Sequence, residues 1–198
     1  MLARRLISPR LATGLRAYST APLKPPYGTA SPETYAEARA AAEAYVAKEG
    51  WDMDSLVEQP VVWGLQDTFQ HLNNVHAFRF FETGRMQFVR SLLPELPAGS
   101  EPSLLQGKPG GVGVILASIG ARYKRPVNAP DTLLVAHRVT AVSKDRFSLD
   151  HICYSFQQRA VVTTGSSEMV TYDYGALRKM DMTPEFRKAL EKRMPTSA

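Results

Sequence analysis

The feature that most restricts the fold is a change of hydrophobic period near the middle of the chain. From Val75 the apolar residues step by three and four through Phe78, Phe81, Phe88, Val89 and Leu92, until Pro94 intervenes. That spacing lines one side of an α-helix, which proline ends. Beyond a Pro- and Gly-rich stretch at 94–111, read as loop, the period falls to two. Alternating runs at 113–123, 132–142, 147–154 and 161–172 are separated by turn segments at 126–130 and 143–146. They predict four β-strands in an antiparallel meander. A short strand candidate at 60–64 precedes the helix, and 51–59 reads as loop. One curved sheet wrapped around a single long helix buries this pattern most economically, which makes the fold class α+β.

The 198 residues are 44% apolar and 22% charged, ordinary values for a globular chain. Apolar runs such as 112–119 fall far short of the roughly 20 residues of a membrane span. The single cysteine, Cys153, excludes an internal disulfide framework and a Cys-rich zinc site. The net charge of +5 comes mostly from residues 1–18, which hold Arg4, Arg5, Arg10 and Arg16 and no acid. Without them 20 basic residues face 19 acidic ones, so a nucleic-acid partner is not expected. An Arg-rich, acid-free leader with Leu and Ile at helical spacing predicts a mitochondrial presequence and a matrix location. Residues 19–30 read as a Pro-rich linker, and 31–49 as a helix opened by Ser31, Pro32 and Glu33. Thr183, Pro184 and Glu185 open a C-terminal helix. The expected organisation is presequence 1–18, linker and helix 19–56, main domain 57–182, and C-terminal helix and tail 183–198.

The chemistry is concentrated just before the long helix, where Asp67, Gln70, His71, Asn73 and Asn74 follow one another closely. Backbone N–H groups at a helix start lack partners and face the positive end of the dipole, so they suit a developing oxyanion. Asp67 is close enough in sequence to bring a carboxylate there, as nucleophile or as base on water. The plainer readings are a capping or turn role for Asp67, Asn73 and Asn74 and a structural role for His71. Glu82 has Arg79 and Arg85 three positions away, so a surface ion pair accounts for it. His137 and His151 are too isolated to predict a metal site, and Cys153 reads as a small buried hydrophobe. Gly84 inside the helix implies a close contact.

These residues resemble the hotdog-fold acyl-CoA thioesterases of the 4-hydroxybenzoyl-CoA thioesterase type, as a fungal-type mitochondrial member. The resemblance rests on Trp63, Asp67, His71, Leu72, Asn73 and Asn74, then on Phe80, Phe81, Glu82 and Arg85 in the helix. Tyr123 to Val127, Asp131 to Leu133, Gly165, Met169 and Val170 extend it over about residues 57–175. Leu65 stands where the family has its first Asp, and Gln70 where it has Gly. The resemblance implies hydrolysis of an acyl-CoA to free acid and coenzyme A, with no metal and no cofactor beyond the thioester substrate. Asp67 would attack the carbonyl or activate water, the N–H near Asn74 would polarise the oxygen, and His71 and Asn74 would orient the loop or thioester. Gln70 would crowd the thioester or offer it an amide, and Lys124 and Arg125 would meet the coenzyme A phosphates. Glu82 is the alternative acid. The resemblance also implies a homodimer or tetramer joined edge to edge. The competing reading is a catalytically silent hotdog protein that binds acyl groups or serves as a structural subunit of a mitochondrial assembly.

Overall fold

The computed structural model describes residues 32–195, so the expected presequence, the linker and Ser31 lie outside the described residues. Helix α1 spans Pro32–Lys48 and gives way at Gly50, whose φ of 69° lies in the left-handed region glycine favours. Strand β1 (Asp52–Val61) and a 3-10 turn at Trp63–Leu65 lead to the long helix α2 (Val75–Leu92). A short helix α3 (Glu101–Gln106) follows, then strands β2 (Gly113–Tyr123), β3 (Asp131–Val142), β4 (Arg146–Ser155) and β5 (Ala160–Asp173). The two-residue β6 (Arg178–Lys179) and helix α4 (Pro184–Glu191) complete the described chain. Thr183 caps α4 by accepting the Phe186 N–H, as its sequence signature predicts.

Three expectations are corrected. The strand expected at 60–64 runs over Asp52–Val61, through residues read as loop. It is an edge strand with a run of four half-buried residues at 56–59, so it lacks a clean alternation. The stretch 94–111 contains α3, a helix too short to show a period, which ends at Gly107 with φ 63°. The four later strands are not one meander. The sheet order is β1-β3-β4-β5-β2, all antiparallel, so β2 pairs with β5 and only β3, β4 and β5 follow one another. The β2–β3 connection carries Pro126 and Pro130 and is too long for a tight hairpin, and it takes the chain across the sheet.

Helix α2 crosses one face of this sheet and buries Ala77, Phe80, Phe81, Gly84, Arg85, Phe88, Val89 and Leu92. Phe81 packs with Val135, Cys153 and Val162, while Phe88 packs with Val139, Leu149 and Met169 in a separate cluster. Gly84 lies between them. A Cβ there would stand 2.1 Å from the His137 ring, which supplies the close contact expected of a helical glycine. Side chains alternate across a strand, so Leu134, Ala136, Ile152 and Tyr154 point to the other face, where they pack with Ala38, Ala42 and Val46 of α1. This is a hotdog fold with one additional helix on the outside of its sheet.

Candidate functional site

Between β1 and α2 the backbone closes a small loop on itself. The Asp67 N–H donates to the His71 carbonyl at 2.9 Å, and the Gln70 N–H to the Asp67 carbonyl at 3.0 Å. The base is pinned by the Asn73 N–H on the Leu65 carbonyl at 2.9 Å and the Leu72 N–H on the Val127 carbonyl at 2.7 Å. Asp67 Oδ1 accepts the Phe69 N–H at 2.8 Å, so the loop that holds the carboxylate is also ordered by it. Its other oxygen has no hydrogen-bond partner among the described residues. Gln70 adopts φ 62°, the conformation for which a glycine is suited, and its carbonyl accepts the Asn128 side-chain amide at 2.8 Å.

The start of α2 offers fewer free donors than its sequence suggests. Asn73 Oδ1 accepts the Val75 N–H at 3.2 Å. The Asn73 and Asn74 carbonyls accept from His76 and Ala77 at 3.0 and 3.2 Å. The Asn74 N–H is left without a partner among the described residues. The Tyr123 hydroxyl donates to the Asn74 carbonyl at 2.9 Å and so fixes the first peptide of the helix from the end of β2. Sequence reasoning assigned Tyr123 no role. Its position one residue before Lys124, at a strand end, was the available signal.

Asp67, His71, Asn74, Tyr123, Lys124 and Arg125 line one cleft of about 360 Å³. Backbone bonds from Lys124 and Arg125 to the Val162 carbonyl, at 2.8 and 3.2 Å, set the two cations at its margin. Neither side chain has an ion pair within 4 Å among the described residues. The structure thus brings together five of the expected residues: Asp67, His71, Asn74, Lys124 and Arg125. The exposed side chain of Gln70 is not part of the lining, and neither is Glu82. The ion pair expected for Glu82 does not form within 4 Å among the described residues, and Arg85 is instead buried.

The remaining candidates sit in the core. Burial pushes the Cys153 thiol up to about 12, which removes it as a nucleophile at neutral pH. His137 and His151 face each other across β3 and β4 with ring centroids 4.6 Å apart. Among the described residues no group of three or more His, Cys, Asp or Glu converges to hold a metal. The cleft is therefore lined by a carboxylate, an imidazole, a residue whose backbone N–H has no partner among the described residues, and two cations unpaired among them.

No curated protein matches the sequence. Solved structures match the fold at low identity. A Pseudomonas aeruginosa protein superposes with TM-score 0.59 at 22% identity, covering 76% of this chain and 96% of its own. The DHNA-CoA thioesterase of Staphylococcus aureus gives TM-score 0.57 at 16% identity, with coverages of 69% and 88%. A second Staphylococcus aureus protein, solved in complex with CoA, gives 0.59 at 14% identity, with coverages of 72% and 87%. Residues 61–190 match the family model described as Thioesterase-like superfamily, a span that holds Asp67, α2 and all of β2 to β5. The chain belongs to the Thioesterase-like superfamily.

Proposed function

We propose that the protein hydrolyses an acyl-CoA thioester to the free acid and coenzyme A. The observation that carries this reading is that Asp67, Asn74, whose N–H has no partner among the described residues, and two cations unpaired among them line one cleft in a member of this superfamily. The thioester carbonyl would lie against the Asn74 N–H, which supports the oxyanion as the carbonyl carbon becomes tetrahedral. Asp67 either takes a proton from the attacking water or attacks first and is released by water. In both routes the C–S bond breaks, a C–O bond to water oxygen forms, and the thiol of coenzyme A leaves with the proton. Coenzyme A is a good leaving thiol, so the step needs no metal. His71 orients the loop, and Lys124 and Arg125 meet phosphate oxygens outside the cleft.

The test is hydrolysis by the purified chain of a panel of acyl-CoAs, short, long and aromatic. Asp67→Asn should lower kcat by roughly 10²- to 10⁴-fold, the range for loss of a positioned base. A wild type inactive across the panel would defeat the proposal and leave the acyl-binding reading. We also propose that the protein works in the mitochondrial matrix, which fusion of residues 1–18 to a fluorescent reporter would test.

A further inference from the structure

A second groove, of about 500 Å³, lies on the opposite face of the sheet, between the end of α1 and strands β2 and β5, with residues of β3 and β4 also lining it. Tyr45 and Trp51 form its aromatic wall, Thr164 and Ser166 its hydroxyl floor, and Arg122 and Lys124 its cationic end. Lys124 also lines the Asp67 cleft, so the two cavities meet at the end of β2. The charges here are not balanced. Arg138 already stacks on Trp51 at 4.4 Å, pairs with Asp150 at 3.2 Å and donates to the Glu49 carbonyl at 3.3 Å. Arg122 and Lys124 have no ion pair within 4 Å among the described residues. Glu49 places a carboxylate beside Tyr45, so the three cations of the groove face two acids and one positive charge is left over, carried at the end where Arg122 and Lys124 have no partner among the described residues, beside the aromatic wall and the two hydroxyls. That suits a ligand carrying phosphates, a sugar and a flat heterocycle.

We propose that this outer groove receives the phosphorylated nucleotide end of the coenzyme A ester whose thioester lies at Asp67. The inference rests on the coenzyme A reading of the Asp67 cleft. That cleft, at about 360 Å³, is too small to enclose the acyl group, the pantetheine arm and the nucleotide together. The arm leaves past Lys124, which lines both cavities. The phosphates then meet Lys124 and Arg122, and the ring lies toward Tyr45 and Trp51. Helix α1, which is additional to the sheet and its central helix, thereby supplies one wall of a substrate site.

Calorimetric titration of the full chain with coenzyme A and with pantetheine, which lacks the nucleotide, tests the inference. Coenzyme A should bind roughly tenfold tighter or more, the usual worth of a charge-assisted contact or two. Arg122→Glu reverses one charge, and Ser166→Trp fills the floor opposite Gly120, its partner on β2. Both positions are exposed, and thermal melts verify that the variants fold. Each variant should erase the preference for coenzyme A while pantetheine binding remains. No binding of coenzyme A, equal binding of the two probes by wild type, or an unchanged preference in both variants would overturn the groove. Acyl-CoA hydrolysis is read separately. A wild type that hydrolyses nothing but loses its nucleotide preference in the variants removes the hydrolysis reading and keeps the groove. An active wild type whose preference survives both substitutions removes the groove alone.

Discussion

Gln70 holds φ 62° in the loop between Asp67 and His71, and its N–H closes that loop on the Asp67 carbonyl at 3.0 Å. An L-residue in this region brings its Cβ against the following carbonyl, at a cost of about 1–2 kcal/mol. Glycine removes that clash but loses roughly 0.5–1 kcal/mol more in chain entropy on folding. The clash is the larger of the two, so Gln70→Gly should stabilise the protein by up to about 1.5 kcal/mol, the difference between those ranges. Gln70→Val adds a branched Cβ where even an unbranched one is strained, and should destabilise it by about 1–2 kcal/mol. Denaturant midpoints of the three proteins decide it, and a Gly variant clearly less stable than wild type would show that the strain is absent. The same geometry explains how the Asp67 loop keeps its shape with glutamine where the resemblance has glycine. The loop's backbone bonds impose the conformation, and the Gln70 side chain stays exposed outside the cleft lining.

Helix α2 carries its two central phenylalanines into separate apolar clusters, and the stretch between them is polar. There Arg85 is buried, and the His137 Nε2–H donates to the Phe81 carbonyl at 3.2 Å. His151 Nε2 lies 2.8 Å from Ser167 Oγ. Burial pushes His137 down to about 3, with the Arg85 charge adding to the effect. Burial, then His137 and Arg85, push His151 to about 2. Both rings fold neutral, while in the unfolded chain they titrate near 6.5. As pH falls below 6.5 the unfolded state takes up protons the folded state refuses, so stability is lost from there down toward pH 3. The slope is roughly 1.4 kcal/mol per pH unit for each fully buried histidine. Denaturant unfolding at pH 7, 6 and 5 should show it, and His151→Gln, which keeps a partner for Ser167, should flatten the slope by about half. Equal slopes in the two proteins would disprove the assignment. This pairing was not legible in the sequence, because His137 and His151 meet only through strand register. Helix α2 and strands β2 to β5 were legible, since each carries its own period. Strand β1 was legible only at Pro60 and Val61, because the residues before them on this edge strand lack a clean alternation of buried and exposed positions. The Asp67 cleft was readable in part because two short local segments, 67–77 and 123–127, supply nearly all of it, whereas residues from α1 and four strands build the outer groove.

The whole molecule presents a sheet with two unlike edges. Near β1 the outer face is covered by α1. The other edge, β2, runs from Gly113 to Ala121 without a charged residue or a proline and exposes Leu116, Ala117 and Ser118. Monomeric proteins guard such edges with lysine, proline or a covering element. The bulge between Leu116 and Ser118 interrupts the edge only locally, and the largely apolar strand on either side of it is suited to antiparallel addition of the same strand from a second copy, so we propose a homodimer joined at β2. Tyr123 ends that strand, Lys124 follows it, and both line the Asp67 cleft, so the second copy would lie beside the site and narrow its opening. Light scattering at micromolar concentration should then give twice the mass of the chain. Leu116, 42% exposed, lies in the middle of the pairing strand. Leu116→Lys places like charges in both copies and should yield a folded monomer by circular dichroism. That monomer should lose acyl-CoA hydrolysis although Asp67 is untouched. A wild type that scatters as a monomer would refute the edge pairing. A Leu116→Lys monomer with full activity would show that one copy suffices for the chemistry, with the cleft complete as it stands between the Asp67 loop and the end of β2.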